Sequence, residues 1–359
     1  MSVHTSSFQR DVTENLERCS GFPNTCKYNL RTRKRKRSAS CQDDLASRRH
    51  RSSESREPAR ELGPARAAAE NIAPHPLLAG ETRRLDFEAK YCQSDLLARG
   101  GHASVYTGYR RVDHAPVAIK RIPRKNIFRK SVLHRNMMVP SEVVVMDKVA
   151  CGDGEPEGRS ITISLLDYYE LQEELVLVLE RPVPVSNLRD YAEAKGGFLQ
   201  DEEAKFIFKQ LVEAAAELDL KSIFHRDIKV DNILIDTSSG FPRLRLIDFG
   251  LSCFTKKSSW YTLFYGTSAH IPPEWYSRKS YRPGPTTVWQ MGIVLYEMLH
   301  DGDNFETRRF LKDELKIRKN LPLRCQEMLH WCLAKDPKRR PTLAELLLHP
   351  WLTASQDDH

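Results

Sequence analysis

The segment His225–Asn232 reads HRDIKVDN, and the segment Ile247–Gly250 after it reads IDFG. Asp227 can orient a hydroxyl group or accept its proton, and Lys229 adds a fixed positive charge beside a group that is being transferred. No single tripeptide here is decisive. The ordered set HRD-x-K-x-x-N followed by DFG is highly specific, because every position in it has a mechanical role. These stretches therefore predict a phosphoryl-transfer site.

Metal ligands are a second feature of the same stretches. Asn232 and Asp248 can each supply the hard oxygen ligands that Mg²⁺ prefers in proteins. A cation bound there would lie where the phosphates of a nucleoside triphosphate must be held. ATP and Mg²⁺ are therefore the expected cofactors.

A lysine on an apolar strand supplies the opposite charge. Lys120 ends the run Val117-Ala118-Ile119-Lys120, and a lysine buried there needs an acidic partner. Glu142, on the helix predicted to follow, is the natural candidate. Together the two would hold the α- and β-phosphates of the nucleotide, whereas a Lys120 without these motifs would be read as a surface lysine at a strand edge.

The net charge of +8 is concentrated at the N-terminal end of the 359 residues. Residues 1–84 hold 17 Lys/Arg and 10 Asp/Glu, whereas the remaining residues hold 39 and 38. This segment lacks sustained periodicity and is predicted to be a disordered basic tail. Its block Arg31–Arg37 reads RTRKRKR, which is either a site for a nuclear-import receptor or a solvated charge run. The absence of aromatic residues between these charges argues against nucleic-acid binding.

The cysteines and the hydropathy pattern bear on the compartment. Eight cysteines are scattered without a C-x-x-C pair, and no run of 18 apolar residues occurs. No N-terminal apolar run resembles a signal peptide. We therefore expect a soluble monomer with reduced thiols and no membrane contact, in the cytoplasm, the nucleus or both.

The first part of the folded region is rich in strand patterns. Four β-rich runs and one helix, Glu142–Val149, predict a small antiparallel sheet lobe with one main helix over residues 91–181. The runs are Asp95–Tyr109, Pro116–Ile122, Ile161–Tyr169 and Leu175–Glu180.

The second part is rich in helical patterns. Asp201–Leu220 carries acidic residues in its first turn and apolar residues about 3.6 apart, and Val288–Leu299 is apolar almost all round. They predict a larger, mainly helical lobe over residues 185–352, followed by a tail at 353–359. The expected fold class is α+β, with a cleft between two lobes.

These motifs occur in the order of the eukaryotic protein kinases, and the chain resembles that fold over residues 91–352. The resemblance is closer to the Pim family of serine/threonine kinases. The segments that carry it are ERPVPV at 180–185, PPEW at 272–275, VW at 288–289, WCLA at 331–334 and RPT at 340–342. It implies a bilobal fold and transfer of the γ-phosphoryl group of Mg-ATP to serine or threonine hydroxyls.

The resemblance also assigns roles to residues. Asp227, Lys229 and Asn232 are the expected catalytic residues, and Asn232 and Asp248 the expected metal ligands. The expected nucleotide-binding residues are Leu97, Ala98, Gly100, Val105, Ala118, Lys120, Glu142, Glu180 and Asp248. Lys229 and Thr267 fit the serine/threonine class, and Glu274 is expected to pair with Arg340.

The chain departs from the family in the glycine-rich loop. The family pattern is G-x-G-x-x-G-x-V, and here Ala98 and Ala103 replace the outer glycines while Gly100 remains. Alanine is the smallest replacement, and extended backbone would tolerate it. We expect weakened nucleotide binding, which leaves open the alternative of a weakly active or inactive pseudokinase scaffold.

Two further features differ from most protein kinases but are shared with the Pim family. Pro182 has no backbone N–H, so as in Pim kinases the hinge would offer adenine only the carbonyl of Glu180, which predicts modest ATP affinity. Thr287 stands where most kinases have an aspartate, and Pim kinases also lack that residue.

Substrate recognition follows from the acids around the cleft. Pim kinases favour substrates with Arg/Lys upstream of the acceptor, and here Asp190 and Asp231 remain at matching positions. Other expected acids are replaced, at Asn187, Leu263 and Tyr265, so the basic preference should weaken. By the same resemblance, activity should not depend on activation-loop phosphorylation.

The tail itself offers acceptor sites. Ser38 and Ser40 each follow basic residues three and five positions upstream, so tethering would favour phosphorylation of the chain by its own kinase domain.

Overall fold

The computed structural model describes residues 76–127, 133–134, 137–150, 161–302 and 304–353. Several sequence predictions lie outside the described residues. They concern the tail over 1–75 with its block Arg31–Arg37, the acceptors Ser38 and Ser40, and the last residues, 354–359.

The first lobe is built on a five-stranded antiparallel sheet. Its strands, in spatial order, are β1 (Tyr91–Arg99), β2 (Ser104–Arg110), β3 (Pro116–Pro123), β7 (Glu174–Glu180) and β6 (Leu165–Glu170). Between β3 and β6 the chain forms two-residue strands β4 (Leu133–His134) and β5 (Met137–Met138) and a helix, α2 (Ser141–Ala150). This agrees with the predicted small sheet lobe and its one main helix.

Strand β7 is buried on both faces because its apolar residues are continuous. Val176 and Val178 lie in one apolar cluster, whereas Leu175 and Leu177 lie in another with Val143 of α2. Alternate side chains of a strand point to opposite faces of the sheet. One face of β7 therefore packs against α2, and its other face packs against the apolar cluster on the opposite side of the sheet. Strand β3, which carries Lys120, is thereby held in a rigid layer.

The structure defines two of the predicted β-rich runs more closely. The run Asp95–Tyr109 forms parts of two strands, because Gly100 and Gly101 turn the chain between β1 and β2. The run Ile161–Tyr169 contributes to the sheet only from Leu165. Before it, Ile161 accepts a hydrogen bond from the backbone of Leu246 in the second lobe, at 2.8 Å.

A helix precedes the sheet and corrects the predicted tail. Helix α1 (Pro76–Lys90) covers residues 76–84, which the sequence predicted to be disordered. Near the end of α1, Phe87 is buried against the rings of Tyr91 and Tyr169, with ring centroids 6.1 and 5.4 Å away. This aromatic contact docks the helix on the sheet, and composition alone did not reveal it.

The second lobe is mainly helical, as predicted. Its helices are α3 (Leu188–Glu193), α4 (Asp201–Leu220), α5 (Pro273–Arg278), α6 (Pro283–Leu299), α7 (Thr307–Leu311), α8 (Leu323–Cys332), α9 (Leu343–Leu347) and α10 (Pro350–Thr353). Short strands complete it: β8 (Val185–Asn187), β9 (Ile223–Phe224), β10 (Ile233–Asp236), β11 (Arg243–Leu246) and β12 (Cys253–Phe254). Helix α4 has the predicted bounds, and α6 begins earlier than predicted because Pro283 is accommodated in its first turn.

Helices α4 and α6 pack together in the main apolar core. The predicted ion pair between Glu274 and Arg340 is confirmed beside this core, with two nitrogen–oxygen distances of 2.9 and 2.7 Å. Arg340 also donates to the backbone carbonyl of Pro285, and its guanidinium lies 4.9 Å from the ring centroid of Trp289. The pair therefore ties α5 to the start of α6. No helix within the described ranges combines the length and apolarity needed to cross a membrane.

Candidate active site

The strands β10 and β11 bring the two motifs together. They form an antiparallel ladder in which Ile233 pairs with Leu246. Asn232 immediately precedes β10, and Asp248 follows β11 with Ile247 between them, so both lie at the same end of the ladder. A backbone hydrogen bond from Ile247 to the carbonyl of Asn232, 3.0 Å long, extends the pairing beyond the strands. The register of this hairpin therefore places both predicted metal ligands side by side.

Asp227 is almost fully buried and each of its carboxylate oxygens has partners. Oδ1 accepts hydrogen bonds from the backbone N–H and the hydroxyl of Thr267, both at 2.8 Å. Oδ2 lies 3.3 Å from Nζ of Lys229 and 3.3 Å from Nδ2 of Asn232. Because an ionised carboxylate only accepts hydrogen bonds, these donors fix its orientation. The three predicted catalytic residues are thus in mutual contact.

Thr267 has a more direct position than the sequence indicated. Its hydroxyl donates to Asp227 and accepts from Nζ of Lys229 at 3.1 Å. Gly266 beside it has a φ of 133°, and a Cβ there would lie 2.7 Å from the backbone oxygen of Arg226. Glycine is therefore needed for the activation segment, Leu251–Ala269, to approach the catalytic loop, His225–Asn232, this closely.

Lys120 lies between two carboxylates. Its Nζ is 2.6 Å from Oε1 of Glu142, which confirms the predicted pair, and 2.7 Å from Oδ1 of Asp248. Burial alone would lower the pKa of Lys120, but the two negative charges outweigh it and raise that pKa. Burial would likewise raise the pKa of Asp248, but the Lys120 charge and hydrogen bond lower it to about 2. Both groups are therefore charged at neutral pH.

The donor set at this end of the hairpin fits a magnesium ion. Nδ2 of Asn232 also donates to the backbone carbonyl of Asp227 at 2.8 Å, which leaves its amide oxygen as the atom able to ligate a cation. Asp248 supplies an ionised carboxylate whose side chain is 47% exposed. Across the described ranges no cluster of three or more His, Cys, Asp or Glu residues could hold a metal. Two protein oxygens suit Mg²⁺, which commonly takes its other ligands from phosphates and water.

The other predicted nucleotide-binding residues line strands of the first lobe. Ala98 pairs with Val105 across β1 and β2, and Val105 pairs with Lys120 across β2 and β3. Leu97 on β1 is half exposed. Ala118 pairs with Leu179, the residue before Glu180 at the end of β7, and Pro182 follows outside the strand. These residues therefore surround the strand positions next to Lys120.

The glycine-rich loop is closed by its own backbone. The N–H of Gly100 donates to the carbonyl of Ala103 at 2.9 Å, and Asn126 donates to the carbonyl of His102 at 2.9 Å. Ala103 packs against the apolar cluster beneath α2, and Ala98 remains within β1. The two alanines thus fit the loop in ordinary strand and turn geometry.

Gln290 was missed by sequence reasoning. It is fully buried in α6, and its Nε2 donates to the carbonyl of Arg226 at 2.6 Å while its Oε1 accepts from the N–H of Ile228 at 3.4 Å. These bonds hold the peptide groups on both sides of Asp227, next to Arg226 with its φ of 76°. A single amide within an otherwise apolar helix was the signal that could have found it.

The acids predicted to read substrate charges already have partners. Asp231 forms an ion pair with Arg189 on α3, at 3.0 Å. Asp190 accepts a hydrogen bond from the side-chain amide of Asn187 at 2.8 Å. Arg189 was not singled out from the sequence, because its partner lies 42 residues away.

Comparison with known proteins agrees with this geometry. A family model described as Protein kinase domain matches residues 91–352. The chain is 35% identical to Serine/threonine-protein kinase pim-2 of Danio rerio, over 79% of this chain and 91% of that protein. It is 31% identical to Serine/threonine-protein kinase prk-2 of Caenorhabditis elegans, over 77% of this chain and 62% of that protein. It is 30% identical to Sperm motility kinase 3A of Mus musculus, over 74% of this chain and 50% of that protein.

The position of Asp248 predicts the metal dependence of nucleotide binding. In the wild-type protein, a fluorescent ATP analogue should bind more tightly when Mg²⁺ is added. Asp248→Asn should reduce this gain by about tenfold, or 1.4 kcal/mol, because it removes the ionised ligand. Asp313→Asn, at an exposed aspartate, should behave as wild type. An unchanged magnesium effect in Asp248→Asn would exclude this ligand assignment.

Proposed function

The chain belongs to the eukaryotic protein kinases, close to the Pim family of serine/threonine kinases, and from this we propose that it transfers the γ-phosphoryl group of Mg-ATP to protein hydroxyls. The observation that carries the proposal is the set of contacts around Asp227. Its carboxylate is oriented by Thr267, Lys229 and Asn232, and Asn232 lies at the same end of the β10–β11 ladder as Asp248. Phosphoryl transfer requires mainly positioning and charge stabilisation, and this arrangement supplies both.

Asp227 and Lys229 have complementary tasks in this proposal. Asp227 orients the serine or threonine hydroxyl and accepts its proton as the oxygen attacks the γ-phosphorus. The bond from that phosphorus to the oxygen bridging to the β-phosphate breaks, and ADP leaves. Lys229 stabilises the negative charge on the transferred group, while its contact with Asp227 holds both side chains in one geometry. The hydroxyl of Thr267 keeps Lys229 aimed at this point, because it accepts a hydrogen bond from Nζ.

Lys120 and the metal ligands act on the nucleotide. Lys120, kept charged by Glu142 and Asp248, binds the α- and β-phosphates. Asn232 and Asp248 would hold the magnesium ion, which when bound would neutralise charge on the phosphate oxygens. Asp248 therefore serves both groups, since its carboxylate also contacts Lys120.

The contacts around the glycine-rich loop favour an active enzyme over a pseudokinase scaffold. Ala98 and Ala103 replace glycines without interrupting the pairing of β1 with β2, and the loop closes through the Gly100 N–H. The catalytic side chains are in mutual contact beneath it. A reduced nucleotide affinity is compatible with this arrangement, because alanine methyl groups restrict how closely the backbone approaches phosphate.

The activation segment gives a reason for independence from phosphorylation. The guanidinium carbon of Arg226 lies 4.7 Å from the ring centroid of Tyr261 and 5.1 Å from that of Tyr265. Both rings belong to the activation segment, and cation–π contacts of this kind contribute about 0.5–2 kcal/mol each. Tyr261 also exchanges two backbone hydrogen bonds with Tyr281, at 3.0 and 2.9 Å. Aromatic rings thus take the place that an added negative charge would occupy beside Arg226.

The kinase activity is tested by Asp227→Asn. The wild-type protein should transfer radiolabel from γ-labelled Mg-ATP to a serine peptide with upstream arginines. Asp227→Asn should lower the rate by roughly 10²- to 10⁴-fold, since the amide cannot accept the proton. Asp313→Asn should retain the wild-type rate. Equal residual rates in the wild-type and Asp227→Asn proteins would contradict the proposal.

The role of the aromatic rings is tested by a double substitution. Treatment with a protein phosphatase should leave the wild-type rate within about twofold, because Arg226 needs no phosphate partner. Replacing both rings, in Tyr261→Leu with Tyr265→Leu, should lower the rate about tenfold, as expected for the loss of roughly 1.4 kcal/mol of cation–π contact. The double phenylalanine variant keeps both rings and should stay near the wild-type rate. A large loss of activity after phosphatase treatment would show that a phosphate is required.

A further inference from the structure

Arg189 forms an ion pair with an acidic residue, Asp231, at the edge of the catalytic loop. Its Nε lies 3.0 Å from Oδ1 of Asp231, and its Nη2 lies 3.3 Å from Oδ2, so the guanidinium engages both carboxylate oxygens. Its Nη1 donates to the side-chain oxygen of Asn304 at 2.9 Å. Asp231 lies between Lys229 and Asn232, close to the group that is transferred. The fork of Arg189 is therefore directed at the catalytic loop.

Arg189 is surrounded by negative charges that would also attract a basic side chain of a substrate. The hydrogen bond to Asp231 outweighs burial and, with the negative charges of Asp231, Glu297 and Glu193, raises the pKa of Arg189. The guanidinium of Arg189 and the carboxylate of Asp231 make two contacts, 3.0 and 3.3 Å long, so the opposite charges are held against each other. An arginine of this chain thus neutralises the acid that a substrate arginine would need.

Displacing Arg189 would be unfavourable for a peptide. A bidentate pair between guanidinium and carboxylate is among the stronger polar contacts, and Arg189 is already tethered next to its partner. An incoming arginine would have to break that pair and lose its own translational freedom. The Coulomb attraction that remains for it is small, because the net charge of the Arg189–Asp231 pair is zero.

Asp190 is in a different state. It is exposed, and its carboxylate accepts a hydrogen bond from the neutral side-chain amide of Asn187. A hydrogen bond from an amide leaves the negative charge of the carboxylate in place. Asp190 can therefore still attract a basic side chain, whereas Asp231 is neutralised.

We infer that Arg189 is a specificity-determining residue that closes the Asp231 subsite to basic substrate side chains. This inference rests on the proposed kinase function and refines its substrate class. The preferred substrates carry a basic residue at the position read by Asp190. At the position that faces Asp231, a basic residue gives no advantage over alanine.

The test compares peptides that differ by one arginine. Each peptide has one serine acceptor, and arginine replaces alanine singly at each position from the second to the sixth before it. The measured quantity is the ratio of kcat/KM with arginine to kcat/KM with alanine at each position. Arg189→Met keeps the apolar stem and removes the charge. In this variant the ratio should rise about tenfold over wild type at one position, as expected for one regained charge-assisted contact.

Two further variants test whether the gain in Arg189→Met comes from the freed carboxylate of Asp231. Adding Asp231→Asn to Arg189→Met should cancel the gain, because the freed carboxylate is then gone. Arg324→Met, at an exposed arginine on α8, should show the wild-type ratios at every position. Binding of the same peptides, measured by fluorescence anisotropy in an Asp227→Asn background, should show the same positional gain without turnover. Thermal melting checks that each variant is folded.

The possible outcomes distinguish a failure of the role assigned to Arg189 from a failure of the proposed kinase function. If wild type and Arg189→Met phosphorylate the peptides with identical positional ratios, the role of Arg189 is overturned while the kinase function stands. A gain that survives Asp231→Asn would overturn the assignment to this subsite. If the wild-type rate does not exceed that of Asp227→Asn for any peptide, the proposed function fails and this inference fails with it.

Discussion

The active site depends on one buried amide, the side chain of Gln290. It connects α6, the most deeply buried helix of the second lobe, to the peptide groups on both sides of Asp227. Leaving a buried backbone group without its partner costs about 1–3 kcal/mol, so these bonds strongly favour one conformation of the catalytic loop. From that loop Asp227 reaches Thr267, Lys229 and Asn232. The apolar core of α6 thereby sets the geometry at which a hydroxyl would be oriented.

Two arginines of this chain are engaged by partners within the chain. Arg226 is held between the rings of Tyr261 and Tyr265, and Arg189 is held by Asp231. In each case a partner within the chain contacts a guanidinium group that could otherwise bind a negatively charged group from outside the chain. The first contact favours an activation segment that stays in place without phosphate. The second favours a substrate preference that is less basic than the family resemblance implies.

The sequence predicted those parts of the site in which each residue has a fixed role. The paired motifs placed Asp227, Asn232 and Asp248 together, since a short hairpin between them leaves little freedom. The Lys120–Glu142 and Glu274–Arg340 pairs could be predicted because a buried charge requires a partner. Helix α4 was predicted with correct bounds from its apolar period and its acidic first turn.

The remaining features depend on contacts between distant residues. Helix α1 is docked by Phe87 against Tyr169, and a composition typical of disorder hides such a single anchor. Gln290 and Arg189 reach partners 64 and 42 residues away in the chain. A periodic pattern predicts which face of a helix is buried, but it does not predict which backbone group one amide on that face will meet.

The role of Gln290 is tested most directly by single-turnover phosphoryl transfer in Gln290→Leu. Leucine fills a similar volume but makes neither hydrogen bond, so Asp227 should lose its orientation. The transfer rate should fall about 10²-fold, as expected for a displacement of roughly 1 Å at a reacting group. Nucleotide affinity, set by Lys120 and the first lobe, should stay within about twofold. Gln326→Leu is the matched control, because Gln326 on α8 donates to the backbone carbonyls of Lys319 and Leu321, far along the chain from Asp227. A folded Gln290→Leu protein that transfers phosphate at the wild-type rate would contradict this account.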